Sequence, residues 1–191
     1  MLINQKIRKK LGIYSNKKFI KLYNMGFTPN RVTMISIFFE FLTFYFILNG
    51  QLVLAGISTA LDYIMDGLDG AIARSAKKST KFGAYLDMIS DNFLRRIGYV
   101  LLAYKGFMSY GLLTTCLVII AFNFIFLHLI RKTKLKVPAA LPMWSDAVLI
   151  YFALFTGKVA FFFTLIVIID LSILLFDIGT ISFLNLVKKR S

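Results

Sequence analysis

Long apolar stretches of about 20 residues recur along the chain and are separated by short polar connections. An α-helix needs about this length to cross a hydrocarbon core roughly 30 Å thick. The pattern therefore predicts an all-α integral membrane protein with six transmembrane helices. Their expected bounds are 31–48, 51–73, 83–104, 107–130, 139–156 and 159–187, with a turn at 49–50.

The last predicted helix is longer than a membrane requires. Residues 159–187 would span about 43 Å at ~1.5 Å per residue. Since this exceeds the hydrocarbon core, we expect the helix to tilt, protrude or bend, and Gly179 is the expected place for a bend.

Basic and apolar residues are interleaved over residues 1–25. This pattern predicts an amphipathic helix lying on the cytoplasmic leaflet ahead of a six-helix domain over 26–191, and a basic tail without regular structure is the alternative. The stretch is interrupted rather than continuously apolar, so we expect no cleavable signal. Gly26 to Asn30 should break it, with Thr28 or Asn30 capping the next helix.

Composition supports the membrane interpretation, with 58% hydrophobic residues and a mean hydropathy of +0.74. The net charge of +14 could suggest nucleic acid, but all nine acidic residues lie in apolar segments and most basic residues flank them. That distribution is typical of cytoplasmic loops facing anionic headgroups, so we expect no nucleic-acid partner. It predicts a multi-pass protein of the cell membrane with both termini cytoplasmic. Cys116 is the lone cysteine, so no intrachain disulfide can form.

Residues 62–91 concentrate the acidic side chains. Five of the nine lie there, namely Asp62, Asp66, Asp69, Asp87 and Asp91. A carboxylate at the membrane centre costs about 2.5 to 3.5 kcal/mol, so a functional role is the default interpretation. Asp66 and Asp69 have i,i+3 spacing. Asp87 and Asp91 have i,i+4 spacing. The two side chains of each pair therefore project from one face of their helix. Both pairs should lie roughly 3 to 11 Å below the cytoplasmic edge of the hydrocarbon.

Converging carboxylates with no thiol or imidazole beside them favour a hard cation such as Mg²⁺, Mn²⁺ or Ca²⁺. His128 is expected to be packed or interfacial rather than a ligand. Two cations would suit a diphosphate ligand. In the segment between the pairs, Gly70 would allow close backbone approach, Arg74 could clamp a phosphate, and Gly83 would open the next helix.

Two arginines, Arg95 and Arg96, should lie near mid-membrane. An unpaired arginine at that depth is costly, so we predict carboxylate partners. The candidates are Asp91, Asp62, Glu40 and Asp170. An acceptor pocket that uses the two arginines is the alternative.

The stretch from Asp66 to Asp91 resembles the signature of the CDP-alcohol phosphotransferases, DxxDGxxARx(7–8)GxxxDxxxD. All eight of its fixed positions are met over 26 residues. The start of the first predicted span, from Gly26 to Thr33, and the six-helix pattern extend the resemblance over most of the chain. In size and in this start the chain is most similar to the phosphatidylinositol-phosphate and archaetidylinositol-phosphate synthases.

The resemblance implies an enzyme of phospholipid biosynthesis that transfers the phosphoalcohol part of a CDP-linked lipid to an acceptor hydroxyl and releases CMP. It implies that two Mg²⁺ or Mn²⁺ ions, and no organic cofactor, are held by Asp66, Asp69, Asp87 and Asp91. Asp91 would also be the catalytic base, and the active site would face the cytoplasm. The implied CDP contacts are Pro29, Asn30, Arg31, Val32, Gly70, Ala73, Arg74, Thr80 and Gly83. A homodimer is common in such proteins.

The acceptor stays open between inositol phosphate, glycerol phosphate, serine and other alcohols. A basic set could serve a phosphorylated acceptor, although snorkelling also explains its last two members. The set is Arg95, Arg96, Arg131 and Lys132.

Two other classes share single features of the pattern. An intramembrane prenyltransferase also binds metal diphosphate through DxxD helices, but needs more spans. A divalent-cation transporter would need polar groups along the whole depth of the membrane, whereas these carboxylates gather at one side.

Overall fold

A computed structural model describes residues 17–77, 81–89, 93–133 and 144–190. Within these ranges the chain is helical, with no strand, and the predicted all-α class is confirmed. The helices are α1 (17–24), α2 (Pro29–Leu48), α3 (Leu52–Ala76), α4 (Lys81–Ile89), α5 (Arg95–Tyr104), α6 (Tyr110–Thr133), α7 (Trp144–Thr156) and α8 (Val159–Arg190).

The observed bounds follow the predicted helices with shifts of a few residues. The predicted helix 83–104 corresponds to α4 and α5, with 90–92 outside the described residues and 93–94 in π-helical geometry. The predicted start at 139 also lies outside them. Helix α8 continues through Gly179 to Arg190, so the helix is unbroken at the position where a bend was expected.

Two helices in the described part of the chain are long and apolar enough to cross a membrane. They are Pro29–Leu48 and Val159–Phe176, and a shorter apolar helix covers Tyr110–Phe126. The six-span arrangement therefore stays a prediction. Helix α3 has 25 residues but carries three aspartates along its length, which lowers its hydropathy.

Helix α2 directs a stripe of large apolar side chains outward and buries a stripe of polar side chains beside Val32, Phe44 and Ile47. Its exposed stripe is Met34, Phe38, Phe41 and Tyr45, at i, i+4, i+7 and i+11. Its buried stripe is Thr33, Ser36, Glu40 and Thr43. This inverted arrangement suits a helix whose outer side meets lipid acyl chains.

The start of α2 is set by the chain before it. Helix α1 ends in a Schellman motif, in which the N–H of Phe27 donates to the carbonyl of Leu22 at 3.1 Å and the N–H of Gly26 donates to the carbonyl of Tyr23 at 2.9 Å, with Gly26 at φ +96°. Thr28 is the N-cap residue of α2, as predicted, but its side chain makes no capping hydrogen bond. Pro29 takes the first helical position, where its missing N–H costs nothing.

The ends of α2 and α3 differ in how they turn. The predicted turn at 49–50 is confirmed, with Gly50 at φ +73° and the N–H of Gln51 donating to the carbonyl of Phe46. Helix α3 runs three residues past its predicted end and stops at Lys77, which adopts a left-handed conformation with φ 52° and ψ 39°.

The chain forms two compact units, residues 1–98 and 99–191. In the first, α2 packs along α3 and also contacts α4. In the second, α6 and α7 pack on α8 around a core that includes Cys116, Ala153 and Phe163. Phe163 meets Tyr99 edge to face at 5.0 Å between ring centroids. The predicted division at residue 25 stays a prediction.

Candidate functional site

Three aspartates of α3 lie within one narrow sector of the helix. Asp62, Asp66 and Asp69 fall within about 60° of one another at 3.6 residues per turn. Asp62 and Asp69 are 3% and 6% exposed, whereas Asp66 is half-buried. The two buried carboxylates therefore face α2, and Asp66 is turned toward the edge of this interface.

Hydroxyl groups of α2 meet these carboxylates across the helix interface. The Thr33 hydroxyl donates to Oδ2 of Asp69 at 2.5 Å, and the Ser36 hydroxyl donates to Oδ1 of Asp62 at 2.5 Å. Farther along, the hydroxyls of Thr43 and Thr59 are 3.3 Å apart. We call these groups the polar seam: Thr33, Ser36, Glu40 and Thr43 on α2 with Thr59, Asp62 and Asp69 on α3.

The polar seam explains how α3 can bury aspartates in an apolar helix pair. A buried carboxylate is costly unless it accepts hydrogen bonds or pairs with a cation. Hydrogen bonds from O–H to an ionised carboxylate are about twice as strong as neutral ones and have lengths near 2.5–2.7 Å. The seam thus holds α2 and α3 in one register.

The Asp62 carboxylate also pairs with a cation. Its Oδ2 lies 3.9 Å from Nη2 of Arg95, whose side chain is 24% exposed. The guanidinium carbon of Arg95 lies 4.5 Å from the ring centroid of Tyr63, in a cation–π contact. The predicted carboxylate partner for Arg95 is confirmed, while the prediction for Arg96 stays open.

Gly70 and Arg74 are adjacent on α3, one turn beyond Asp66. A Cβ added at Gly70 would lie 3.0 Å from Nη1 of Arg74. The exposed guanidinium of Arg74 therefore folds back along the helix and occupies the space over Gly70. The predicted contacts of these two residues with nucleotide stay predictions.

The predicted nucleotide contacts on α2 have different surroundings. Pro29 and Asn30 are half-buried in the first turn, whereas Val32 is 1% exposed and belongs to the core. The guanidinium of Arg31 is exposed and donates to the carbonyl of Gly26 at 3.0 Å, which closes the loop before α2. These contacts, too, stay predictions.

Some of the remaining predicted site residues are described by the structure and others are not. Ala73 is half-buried on α3, and Gly83 lies in α4 with Asp87. Thr80 and Asp91 lie outside the described residues. Over the described ranges, no group of three His, Cys, Asp or Glu side chains is placed to hold a metal ion. The four-carboxylate site is therefore not tested.

The donors that are described fit a hard cation. Asp66 and Asp69 offer carboxylate oxygens, the ligand type that Mg²⁺ and Mn²⁺ prefer. The Thr33 hydroxyl donates a hydrogen bond to the Asp69 carboxylate, and carboxylates that bind metal ions commonly accept such a bond from a neighbouring group.

Sequence reasoning did not find Thr33 and Ser36 as carboxylate partners. The signal was present, because Thr33, Ser36, Glu40 and Thr43 have 3-4-3 spacing within an otherwise apolar helix. Such spacing puts polar groups on one face of a helix, where they need polar partners.

A known protein family matches most of the chain, and individual curated proteins match less than half of it. Residues 27–184 match the family described as CDP-alcohol phosphatidyltransferase. No solved structure matches.

Among curated proteins, an archaetidylinositol phosphate synthase of Pyrococcus horikoshii is 44% identical over 71 residues, which cover 37% of each chain. A bifunctional IPC transferase and DIPP synthase of Aquifex aeolicus is 33% identical over 95 residues, covering 48% of this chain and 19% of that protein. A CDP-diacylglycerol–glycerol-3-phosphate 3-phosphatidyltransferase of Pseudomonas fluorescens is 39% identical over 75 residues, covering 39% and 37%. The matches thus span less than two fifths of each of these relatives.

Proposed function

Because the chain belongs to the CDP-alcohol phosphatidyltransferase family, we propose that it transfers a phosphatidyl-type group from a CDP-linked lipid to an acceptor alcohol in phospholipid synthesis. The acceptor oxygen forms a new bond to the lipid-linked phosphorus. The bond between that phosphorus and the bridging oxygen of CMP breaks, so CMP leaves. The proton of the acceptor hydroxyl passes to a carboxylate.

The observation that carries this proposal is the family match over residues 27–184, which contains every fixed position of the signature from Asp66 to Asp91. The arrangement on α3 supports it independently. Asp66 and Arg74 flank Gly70 on one face, so a cation-binding residue and an anion-binding residue lie about two helical turns apart on α3.

A pair of divalent ions, Mg²⁺ or Mn²⁺, would be held by Asp66, Asp69, Asp87 and Asp91. When bound, such ions would neutralise negative charge on the diphosphate of the donor and on the CMP that leaves. The carboxylate oxygens supply the hard donors that these ions require.

The chain's own residues would then bind and orient the substrates. Arg74 would bind a phosphate oxygen of the CDP group, with a fork of N–H donors suited to that geometry. Asp91 would take the proton of the acceptor hydroxyl as general base. Further contacts with CDP would come from Pro29, Asn30, Arg31, Val32, Gly70, Ala73, Thr80 and Gly83.

The acceptor proposed first is an inositol phosphate. The name of the Pyrococcus horikoshii relative supports this choice, and the name of the Pseudomonas fluorescens relative supports glycerol 3-phosphate as the second candidate. The donor would be CDP-diacylglycerol or CDP-archaeol.

The proposed location is the cell membrane, with a homodimer whose active sites face the cytoplasm. Two apolar helices of sufficient length and the outward apolar stripe of α2 support membrane embedding. A site near the cytoplasmic surface would receive the water-soluble acceptor directly and the donor from the leaflet.

The test uses the purified full chain in lipid vesicles with Mg²⁺, a CDP-lipid and one labelled acceptor at a time. We expect CMP release coupled to labelled lipid with inositol phosphate, and no product from Asp66→Asn. Protein that releases no CMP but consumes a prenyl diphosphate would favour a prenyltransferase. Cation flux across the vesicles without CMP release would favour a transporter.

A further inference from the structure

We propose that Thr33 is a positioning residue for the candidate metal site. Its hydroxyl fixes the Asp69 carboxylate and ties it to the first turn of α2. This inference rests on the proposed function, because it takes Asp69 as a metal ligand. Thr33 belongs to none of the eight fixed signature positions between Asp66 and Asp91.

The contact joins two buried side chains. Thr33 is 4% exposed and Asp69 is 6% exposed, so bulk water does not compete for their hydrogen bond. The Thr33 oxygen lies 2.5 Å from Oδ2 of Asp69 and 3.1 Å from the carbonyl oxygen of Pro29. A hydroxyl has one proton, and the nearer, charged acceptor takes the larger share of it.

The position of Thr33 in the polar seam distinguishes it from Ser36. Ser36 donates to Asp62, and the Asp62 carboxylate forms an ion pair with the Arg95 guanidinium, so this carboxylate already has a cationic partner. Thr33 lies at the other end, where α2 begins and where the proposed nucleotide contacts start at Pro29. The Thr33 hydroxyl therefore connects the turn that carries the proposed nucleotide contacts with the proposed metal ligand Asp69.

A hydrogen bond on one carboxylate oxygen is compatible with metal ligation. An ionised carboxylate offers about four lone-pair positions, and the Thr33 bond takes one of them on Oδ2. The same bond fixes the plane of the carboxylate. Removing such an outer-shell partner typically lowers metal affinity or activity by about 10- to 100-fold.

The experiment measures Mn²⁺ binding to the full-length protein in detergent, in the presence of CDP, by electron paramagnetic resonance. The variants are Thr33→Val, which removes the hydroxyl at nearly constant shape, and Thr33→Ser, which keeps the hydroxyl. The matched control is Thr43→Val. Thr43 lies on the same buried stripe and bonds the Phe39 carbonyl at 3.0 Å, but its side-chain partner is Thr59 rather than a proposed ligand.

We expect Thr33→Val to raise the Mn²⁺ dissociation constant at least tenfold, and Thr33→Ser and Thr43→Val to bind Mn²⁺ as the wild type does. Thermal unfolding of each variant is recorded alongside, and Thr33→Ala replaces the valine variant if the latter does not fold.

Wild-type Mn²⁺ affinity in a folded Thr33→Val or Thr33→Ala protein would overturn the positioning role. So would equal losses in Thr33→Val and Thr43→Val, which would show that the seam acts only through stability. An equal loss in Thr33→Ser would show that the hydroxyl is not the cause. If the wild-type protein itself binds no Mn²⁺ with CDP, the proposed function fails and this inference fails with it, whereas a loss of the inference alone requires a wild-type protein that binds Mn²⁺.

Discussion

The Nη1 atom of Arg74 lies 3.0 Å from the position that a Cβ on Gly70 would occupy. Few real Cβ atoms have so close a neighbour, so the missing side chain of Gly70 leaves the space that the guanidinium occupies. Asp66, Gly70 and Arg74 have i, i+4, i+8 spacing and share a face of α3. The guanidinium thus reaches back toward the turn that carries Asp66.

Replacing Gly70 with alanine should displace the guanidinium by a few tenths of an ångström or more, and so weaken CDP binding. We expect a rise of about 3- to 10-fold in the CDP dissociation constant, equivalent to about 1 kcal/mol. Isothermal titration of CDP into the purified protein in the presence of Mg²⁺ measures this dissociation constant.

Gly67→Ala is the matched control, because a Cβ at Gly67 would have no neighbour within 4 Å. Both substitutions raise helix propensity by about 1 kcal/mol. Equal CDP affinity in the two variants would contradict the role given to Gly70.

The aspartates of the signature should separate into two kinds when changed to asparagine. Asp91→Asn should lower turnover by at least about 100-fold while CDP-lipid binding stays near wild type, because it removes the base but leaves the three main proposed ligands, Asp66, Asp69 and Asp87, in place. Asp66→Asn should weaken metal and nucleotide binding together, because it removes a proposed ligand. Single-turnover CMP release and CDP titration distinguish the two. Near-normal turnover in Asp91→Asn would mean that another group takes the proton.

The apolar stretches predicted the helices because a long apolar stretch bounded by turn residues is compatible with few structures other than a helix in this chain. The turn at Gly50 and the first span were within two residues of the observed ones. The end of α3 was harder to predict. It stops at Lys77, a residue type with no preference for the left-handed conformation that it adopts.

The candidate site was predictable only in its carboxylates. Charge in an apolar segment identified Asp62 and Asp69 directly, since burying a carboxylate is costly. Their partners Ser36 and Thr33 are hydroxyls with little cost of their own, and which residues lie opposite one another depends on the register of α2 against α3. Local spacing does not determine that register.

The Ser36–Asp62 hydrogen bond should contribute to stability rather than to chemistry. Ser36→Ala leaves one oxygen of a 3%-exposed carboxylate without that donor. We expect the free energy of unfolding to fall by about 1.5 to 3 kcal/mol, the range for a hydrogen bond to a charged group. Unfolding in mixed micelles with increasing denaturing detergent measures this change.

The control for Ser36 is Ser172→Ala, because the Ser172 hydroxyl is exposed and bonds the Ile168 carbonyl of its own helix. We expect a change within about 0.5 kcal/mol there. Equal unfolding energies for the two variants would mean that the Asp62 bond adds nothing to stability.

The six-span topology makes a prediction about two exposed lysines. Lys77 follows α3 and Lys105 follows α5, and both are exposed. If the segment between them crosses the bilayer once, cysteines at these positions must react with a membrane-impermeant maleimide from opposite sides. The positive-inside pattern places Lys77 in the cytoplasm. The natural Cys116 is 2% exposed and should stay unlabelled, so it can remain in place.

Labelling of Lys77→Cys only in inverted vesicles, and of Lys105→Cys only in intact cells, would agree with this topology. Lys158→Cys should be labelled from the same side of the membrane as Lys105→Cys, because two predicted spans, 107–130 and 139–156, separate those positions. Labelling of Lys77→Cys and Lys105→Cys from the same side would show that residues 83–104 do not cross. The cytoplasmic placement of Asp66 and Asp69 depends on this result, since they lie two to three turns before Lys77 on the same helix.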